Sequence, residues 1–528
     1  MESKERAVLD RIFEPAGVAI FGGVHEPGKF GHMMLQSLIQ YGYKGKIYPV
    51  SPAGGEVFGL NVLKSLSHVD GPVDLGCICV PAKEVPGALR DCLERGVSGA
   101  EILSSGFSET GDAGAIALQD EVARISRLGI RIVGPNCFGI HCPRGGLTLL
   151  PGFDFAKTPG PVALISQSGG VATDFCHEAR TAGLSLSKVV SYGNGCDLEA
   201  VSLLDYLSGD SETRYVAAYL EGVRDGRRLK EVLRKLASRK PVVIWKGGLT
   251  PTGAKAVMSH TGSMAGERAV WSGLFAQTGA LQVEGLEELL DVMTAMVHLK
   301  AGGSRIALLG GGGAIGVFCS DLAYRYGLEL PVFSDNTVAS LRKWFPTPGN
   351  SLRNPVDTGT PVIPAEIIAG IVEKILMKET VDVLVVVFLI HPLAVVRPAF
   401  MKMDSLPAPC LHDMVSPLLD RADDLRKTSG KDLVVVMENR AVLPSDLDVE
   451  KDYRELKGLF LAHGVPGLSV RCKGRKGHRK GEGECPLCKI QLLVKETVGQ
   501  ETRYQGLKAG PLNSVKGICM VFSAYVRS

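Results

Sequence analysis

The chain has 528 residues, with 59 Lys plus Arg against 56 Asp plus Glu and a formal charge of +3, a balance that gives no global pull toward nucleic acid or a membrane surface. At 45% hydrophobic and 22% charged residues it has ample core for several domains, which excludes wholesale disorder. Its 64 glycines against 6% aromatic residues favour α/β units with many tight strand-to-helix turns over aromatic-rich β-sandwiches.

The first fifteen residues are charged and carry no apolar stretch ahead of a cleavage site, so no secretory signal is expected. The strongest apolar run, 381–390, has strand length and falls short of the roughly 20 residues of a membrane span. The 13 cysteines are an odd count, mostly single within apolar patterns such as Cys77 and Cys79. That usage fits reduced, buried thiols, and a cytoplasmic location is expected.

Up to residue 155, predicted strands at 17–21, 46–50, 75–80, 100–104 and 131–135 alternate with amphipathic stretches such as Val85, Ala88, Leu89, Cys92 and Leu93. The alternation predicts a doubly wound parallel sheet, a Rossmann-like α/β unit over 1–155. Over 156–300 the grammar repeats, with strands at 162–166, 187–193, 214–222 and 241–248, and predicts a flavodoxin-like unit. A candidate helix at 286–300 and a small-residue joint, AGGS at 301–304, lead into a third α/β unit over 303–470. Its strands are expected after Arg305, at 381–390 and at 432–439, with helices near 364–377 and 449–463. From Arg471 the texture changes: six of the ten residues 471–480 are basic, and the tail 471–528 has no clear period.

Three strand ends run into glycine. In open α/β sheets such junctions collect anions, because unpaired N–H groups and the helix dipole point outward there. The first is the turn Gly22 to Gly31. A dinucleotide site expects an acidic residue at the end of the second strand, where this chain has Ser51 and Pro52; an adenosine ligand with phosphate on its ribose fits better. The second is SQSGG at 166–170, where Ser168, Gly169 and Gly170 begin a helix; Ser168 reads equally as a plain N-cap. The third is LLGGGGAIG, with four glycines at 310–313, which reads as a close-approach site or as a flexible turn.

His260 lies among Ser259, Thr261, Gly262, Ser263, Ala265 and Gly266, all small, which predicts a loop able to admit a charged group. Imidazole is nucleophilic at neutral pH and suits a covalent intermediate, and a carboxylate on its second nitrogen would orient it. Glu221, at the end of the strand 214–222, is the candidate; a capping or solvated histidine is the plain alternative.

The motifs SQSGG (166–170), YLEG (219–222) and SHTGSMAG (259–266), supported by GPNCFG (134–139) and NPVD (354–357), resemble the α subunit of the ADP-forming acetate–CoA ligases. These belong to the nucleoside-diphosphate-forming acyl-CoA synthetases, relatives of succinyl-CoA synthetase, and the resemblance covers about residues 8–470. It implies a Rossmann-like coenzyme A-binding domain followed by two succinyl-CoA synthetase-like flavodoxin domains. It implies His260 as a phosphohistidine steadied by Glu221, and phosphate held by Ser168, Gly169 and Gly170 on one helix and Gly311, Gly312 and Gly313 on another. Coenzyme A contacts would come from Gly22, Gly28, Lys29, Gly31, Ser51, Pro81, Ser105, Pro135 and Asn136. The reaction implied is acyl-CoA + ADP + phosphate ⇌ carboxylic acid + CoA + ATP, with the ADP/ATP and Mg²⁺ site on an ATP-grasp β subunit in a hetero-oligomer. The alternative is a non-catalytic module that binds coenzyme A or acyl-CoA.

Three departures stand out. Relatives often have a lysine after the second strand, where this chain has Ala53, so the coenzyme A phosphate would fall to Lys29, Lys46 or another residue. Leu309 and Gly310 stand where relatives tend to have asparagine, and the family's closing strand and helix give way to the tail from Arg471. Cys472, His478, Cys485 and Cys488 in that tail make half a zinc signature; a disordered basic tail or a shifted reading frame accounts for them equally.

Overall fold

The computed structural model describes residues 1–152, 154–261, 266–299, 303–310, 312–345, 349–359, 363–389, 411–439 and 447–471. The chain divides into two compact units, Met1–Met293 and Thr294–Ser528. No helix among the described residues is long and apolar enough to cross a membrane.

The first sheet is built from β1 (Gly17–Phe21), β2 (Lys46–Val50), β5 (Leu75–Ile78), β6 (Gly99–Ile102) and β7 (Arg131–Val133), with the small hairpin β3 (Glu56–Val57) and β4 (Leu60–Asn61) outside it. Its order is β2-β1-β5-β6-β7, all parallel. Helices cover both faces, so β1 is buried at every position and reads as an unbroken apolar run rather than an alternation. The chain leaves β1 toward β2 on one side and reaches β5 on the other, which puts a topological switch point between the ends of β1 and β5.

The second sheet repeats the device. Its order is β14-β13-β12-β10-β11-β8-β9, from β8 (Gly139–Cys142), β9 (Leu147–Thr148), β10 (Pro159–Ser166), β11 (Leu186–Ser191), β12 (Tyr215–Leu220), β13 (Val242–Lys246) and β14 (Leu281–Val283). The five strands from β10 onward are parallel in flavodoxin-like order, with the switch point between β10 and β12. The hairpin β8–β9 follows the first sheet in sequence yet pairs antiparallel with β11, which closes an otherwise open edge. A neutral, buried His141 at its centre bonds Thr148 at 3.0 Å, and burial lowers its pKa to about 4.

In the second unit β15 (Ile306–Gly310), β16 (Val383–Leu389), β17 (Asp432–Asn439) and β18 (Gly467–Arg471) form a parallel sheet in that order. On the outer side of β15 the place of a further strand is reduced to single bridges at Glu329 and Val356. Pro331 and Pro355 lack the N–H a ladder needs, and Asn354 substitutes for it: its Oδ1 accepts from Leu308 N at 3.0 Å and its Nδ2 donates to Ile306 O at 2.8 Å. The strand β18 extends the sheet to residue 471, so the last described strand ends where the sequence pattern stops. GLSVR is too short and too glycine-rich to announce itself; pairing with β17 makes it a strand. Within the AGGS joint, 301 and 302 lie outside the described residues, as do Gly311 and the tail beyond 471 with its four candidate zinc ligands.

Candidate active site

At the first switch point the ends of β1, β2 and β5 enclose a cleft of about 770 Å³ lined by Gly22, Gly23, Pro52, Pro81, Lys64 and Lys83 among others. Close packing dictates the glycines. Gly22 has φ +81°, and a Cβ there would lie 2.7 Å from Val80; a Cβ at Gly31 would lie 1.9 Å from the Gly22 carbonyl. The helix α1 (Phe30–Gln40) can therefore begin against the strand end only because both residues lack side chains. Gly28 (φ +87°) and Lys29, the N-cap residue, complete this turn.

Gly22 and Pro81 thus line the cleft, and Ser51 stands beside its Pro52. Ser105 follows β6 and Pro135 and Asn136 follow β7, farther along the same edge of the sheet. Asn136 takes the left-handed conformation at φ +55° and bonds Asn194 at 3.3 Å. A Cβ at Gly193 would lie 2.2 Å from the Asn136 carbonyl, so the two sheets meet here backbone to backbone. Asn194 also donates to Glu109 at 2.6 Å. Burial opposes the Glu109 charge, but Asn194 and the Gly106 and Phe107 amides hold its carboxyl below the ordinary range. Neither Lys29 nor Lys46 lines the cleft; Lys64 and Lys83 do. Lys64 arrives because the chain after the β3–β4 hairpin returns along β2, with a bridge between Val50 and Leu63. No local pattern in the sequence marks that return.

At the second switch point Ser168 caps the helix α2 (Gly169–Thr181), its Oγ accepting from Val171 N at 3.4 Å. The other first-turn amides have no partner within a helix and face the strand ends. Gly169 is required by packing, since a Cβ there would lie 2.5 Å from the Phe138 ring, whereas Gly170 is exposed. Between Ser166 and Ser168, Gln167 turns inward: its Oε1 accepts from Glu221 N at 2.9 Å, Gly222 N at 3.2 Å and Tyr192 OH at 3.4 Å. This side chain clips the end of β12 to the end of β10 and so positions Glu221. The motif SQSGG contains Gln167, but its role needs the crossover to be seen.

Glu221 is 6% exposed; its Oε1 accepts from Tyr219 OH at 3.1 Å, while its buried Oε2 has no hydrogen-bond partner among the described residues. A buried carboxylate oxygen needs a donor, because leaving it unpaired costs its desolvation free energy. Lys246, at the end of β13, donates to Glu221 O at 2.8 Å and to Gly247 O. Burial pushes its ammonium down to about 8 against the attraction of Glu221.

The segment carrying His260 is a helix rather than the expected loop. Thr250 accepts from Gly253 N at 3.0 Å and Pro251 opens the first turn, starting a helix α3 that runs Pro251–Thr261. Alanine, lysine and methionine sustain it as far as the first of the small residues, so local helix propensity overrides the composition argument at His260. His260 is in its last turn; its side chain, and 262–265, lie outside the described residues, as does the expected pairing with Glu221.

In the second unit Gly312 (φ +80°) caps a helix α4 that opens at Gly313 and runs to Arg325. Asp357 of the NPVD motif sits at this opening, its Oδ2 3.2 Å from where a Gly313 Cβ would be, and its Oδ1 accepts from Gly359 N at 2.9 Å. The helix N-terminus thus already has an anion beside it.

Residues 17–143 match the model of a CoA binding domain, and 159–296 that of a succinyl-CoA ligase like flavodoxin domain. The α subunit of acetate–CoA ligase [ADP-forming] I from Pyrococcus furiosus is 38% identical over 364 residues, 66% of this chain and 76% of that protein. The ADP-forming acetate–CoA ligase of Methanocaldococcus jannaschii is 36% identical over 358 residues, 66% of this chain and 49% of that protein. Among solved structures, the dinucleotide forming acetyl-coenzyme A synthetase 1 of Ca. Korarchaeum cryptofilum, in complex with phosphate and ADP, superposes with a TM-score of 0.73 at 26% identity. The match covers 98% of this chain and 97% of that one. A coenzyme A-type cleft at one switch point, a glycine-opened helix and buried carboxylate at the next, and these relatives place the chain in the family of nucleoside-diphosphate-forming acyl-CoA synthetases, with the ADP-forming acetate–CoA ligase α subunits.

Proposed function

We propose that the chain is the acyl-transferring and phosphohistidine-bearing subunit of an ADP-forming acid–thiol ligase, interconverting acyl-CoA, ADP and phosphate with a small carboxylic acid, CoA and ATP. Coenzyme A lies across the first switch point. The glycine turn and the Lys64 and Lys83 side chains support this reading, because they bring bare backbone and positive charge to one cleft. Lys64 takes the coenzyme A phosphate contact that Ala53 cannot make. Phosphate binds at the α2 N-terminus, where Ser168 and the Gly169 and Gly170 amides stabilise the charge that develops as its oxygen attacks the thioester carbonyl and the thiolate departs. His260 then takes the phosphoryl group from the acyl phosphate, releasing the acid.

The observation that carries this reading is the buried Glu221 Oε2, which has no partner among the described residues. An imidazole N–H satisfies it, and the carboxylate in turn stabilises the cation formed when the opposite ring nitrogen attacks phosphorus. Two relatives are named as α subunits, which supports a partner. We assign ADP/ATP and Mg²⁺ to an ATP-grasp β subunit of a hetero-oligomer. The ligase names of the relatives favour this reading over a non-catalytic coenzyme A-binding module.

The test is incubation of the chain with a candidate β subunit, labelled ATP and Mg²⁺, with phosphorylation mapped by mass spectrometry. Acid-labile label on His260, absent from His260→Ala and discharged by coenzyme A plus a carboxylic acid, is the expected result. Label on another residue, or coenzyme A binding with no label under any partner, overturns it.

A further inference from the structure

Lys246 belongs to no motif, yet it is 3% exposed and sits beside Glu221. Its ammonium is gripped by the Glu221 and Gly247 carbonyls, and the face of Trp271 lies 4.8 Å away. A buried ammonium on an indole face is a contact worth more than its exposed counterpart. Trp271 itself is 6% exposed and leans on Phe275, with ring centroids 5.7 Å apart.

These two residues bracket the segment 247–270, which includes α3 and His260. Both roots of the segment are shaped around aromatic rings. A Cβ at Gly247 would lie 2.7 Å from the Tyr219 hydroxyl, and one at Gly266 (φ +73°) would lie 2.9 Å from Trp271 Nε1. The Tyr219 ring packs on Trp245 at 4.6 Å, which joins the outgoing root to the Glu221 strand, and Lys246 over Trp271 joins it to the returning root.

We propose that Lys246 is a positioning residue: bound to the Glu221 and Gly247 carbonyls and faced by Trp271, it ties the end of the Glu221 strand to the chain before α3 and after Gly266, and so fixes the Glu221 carboxylate for its work on the histidine. This rests on the phosphohistidine reading above. A lysine that only satisfied strand-end carbonyls would not need the indole, nor would the indole need the returning chain wrapped on it. The charge is part of this tie, since a neutral amine loses the attraction to the ring and one of its donors. The charged group facing the ammonium is Glu221; Tyr219 and Tyr192 behind it are phenols that burial pushes up, out of the range where the amine titrates.

The experiment follows single-turnover His260 phosphorylation across pH in the complex with the β subunit, for wild type, Lys246→Met, Lys246→Arg, Trp271→Leu and Trp271→Phe. Coenzyme A affinity, read on the other sheet, reports folding. Lys246→Met and Trp271→Leu are expected to slow phosphorylation by about 10- to 100-fold with coenzyme A affinity unchanged, the scale on which partners of catalytic groups act. Trp271→Phe keeps a ring and recovers most of the rate. Wild-type rate falls on the alkaline side as the ammonium loses its proton near pH 8, and Lys246→Arg, whose guanidinium stays charged, loses that limb. Wild-type rates in Lys246→Met, or an alkaline limb that persists in Lys246→Arg, overturn the proposal. If Lys246→Met fails to bind coenzyme A, the arginine profile and the Leu–Phe pair at Trp271 decide. Absence of label on His260 in wild type sinks the functional reading instead.

Discussion

Two helices open on glycine at the end of a parallel strand, α2 at Gly169 and α4 at Gly313, and they are not equivalent. At α2 the glycine is enforced by an aromatic ring, the cap is a neutral serine, and the strand at its side delivers Glu221 through Gln167. At α4 the glycine faces only the end of one flexible side chain, Asp357, at 3.2 Å, the cap is another glycine, and that carboxylate lies at the opening. A glycine-rich helix start is thus one sequence signal with two physical meanings. In the first it lets a ring pack under an anion site; in the second it spares the Gly312 turn a strained φ of +80° while Asp357 answers the helix dipole.

The widest separation between the two comes from alanine. Gly169→Ala drives a Cβ to within 2.5 Å of a Phe138 ring whose backbone is held by Ser191 at 3.1 Å, so it is expected to cost about 1–3 kcal/mol of stability and to weaken phosphate binding at α2. Gly313→Ala meets only the Asp357 carboxylate at 3.2 Å and gains helix propensity, for a net change within about 0.5 kcal/mol. Urea unfolding with hydrogen exchange at each helix start measures both; equal costs would erase the distinction. A smaller effect is expected of Ser168→Ala, which removes a long cap bond of 3.4 Å and costs about 0.5–1 kcal/mol, read as faster exchange of the Val171 amide. Asp357→Asn is the subtlest. Losing the anion destabilises α4 by about 0.3–1 kcal/mol and should tighten phosphate at that terminus by roughly two- to fivefold in a titration. Unchanged phosphate affinity would mean the carboxylate is neutralised by something else.

Much of this architecture is legible in the chain. The strands 17–21 and 46–50 occur at the bounds their sequences predict: the first, covered on both faces, is continuously apolar, while the second lies at the sheet edge and is buried only toward Val50. The glycines at 22, 31 and 169 announce close approach, and close approach is what they provide. His260 misleads: small neighbours suggest a loop, but threonine and proline at 250–251 begin a helix that carries through to it. Lys64, Lys246 and Trp271 carry no local signature, and Gln167 sits in a motif that does not reveal its role, because what each does depends on a segment distant in sequence.

Periodicity and turn chemistry, both local properties, are sufficient by themselves to determine the alternation of strands and helices and the strand ends where ligands gather, while the family showed only through the resemblance of motifs such as SQSGG and SHTGSMAG. Tertiary structure alone decided which charges meet at those ends. It brings Lys64 back along β2, folds the β8–β9 hairpin onto the second sheet, replaces a strand by the Asn354 side chain, and sets an ammonium between two strand-end carbonyls and an indole. The reason is chain path: crossover connections place residues far apart in sequence at one switch point, and no local pattern encodes where a crossover returns.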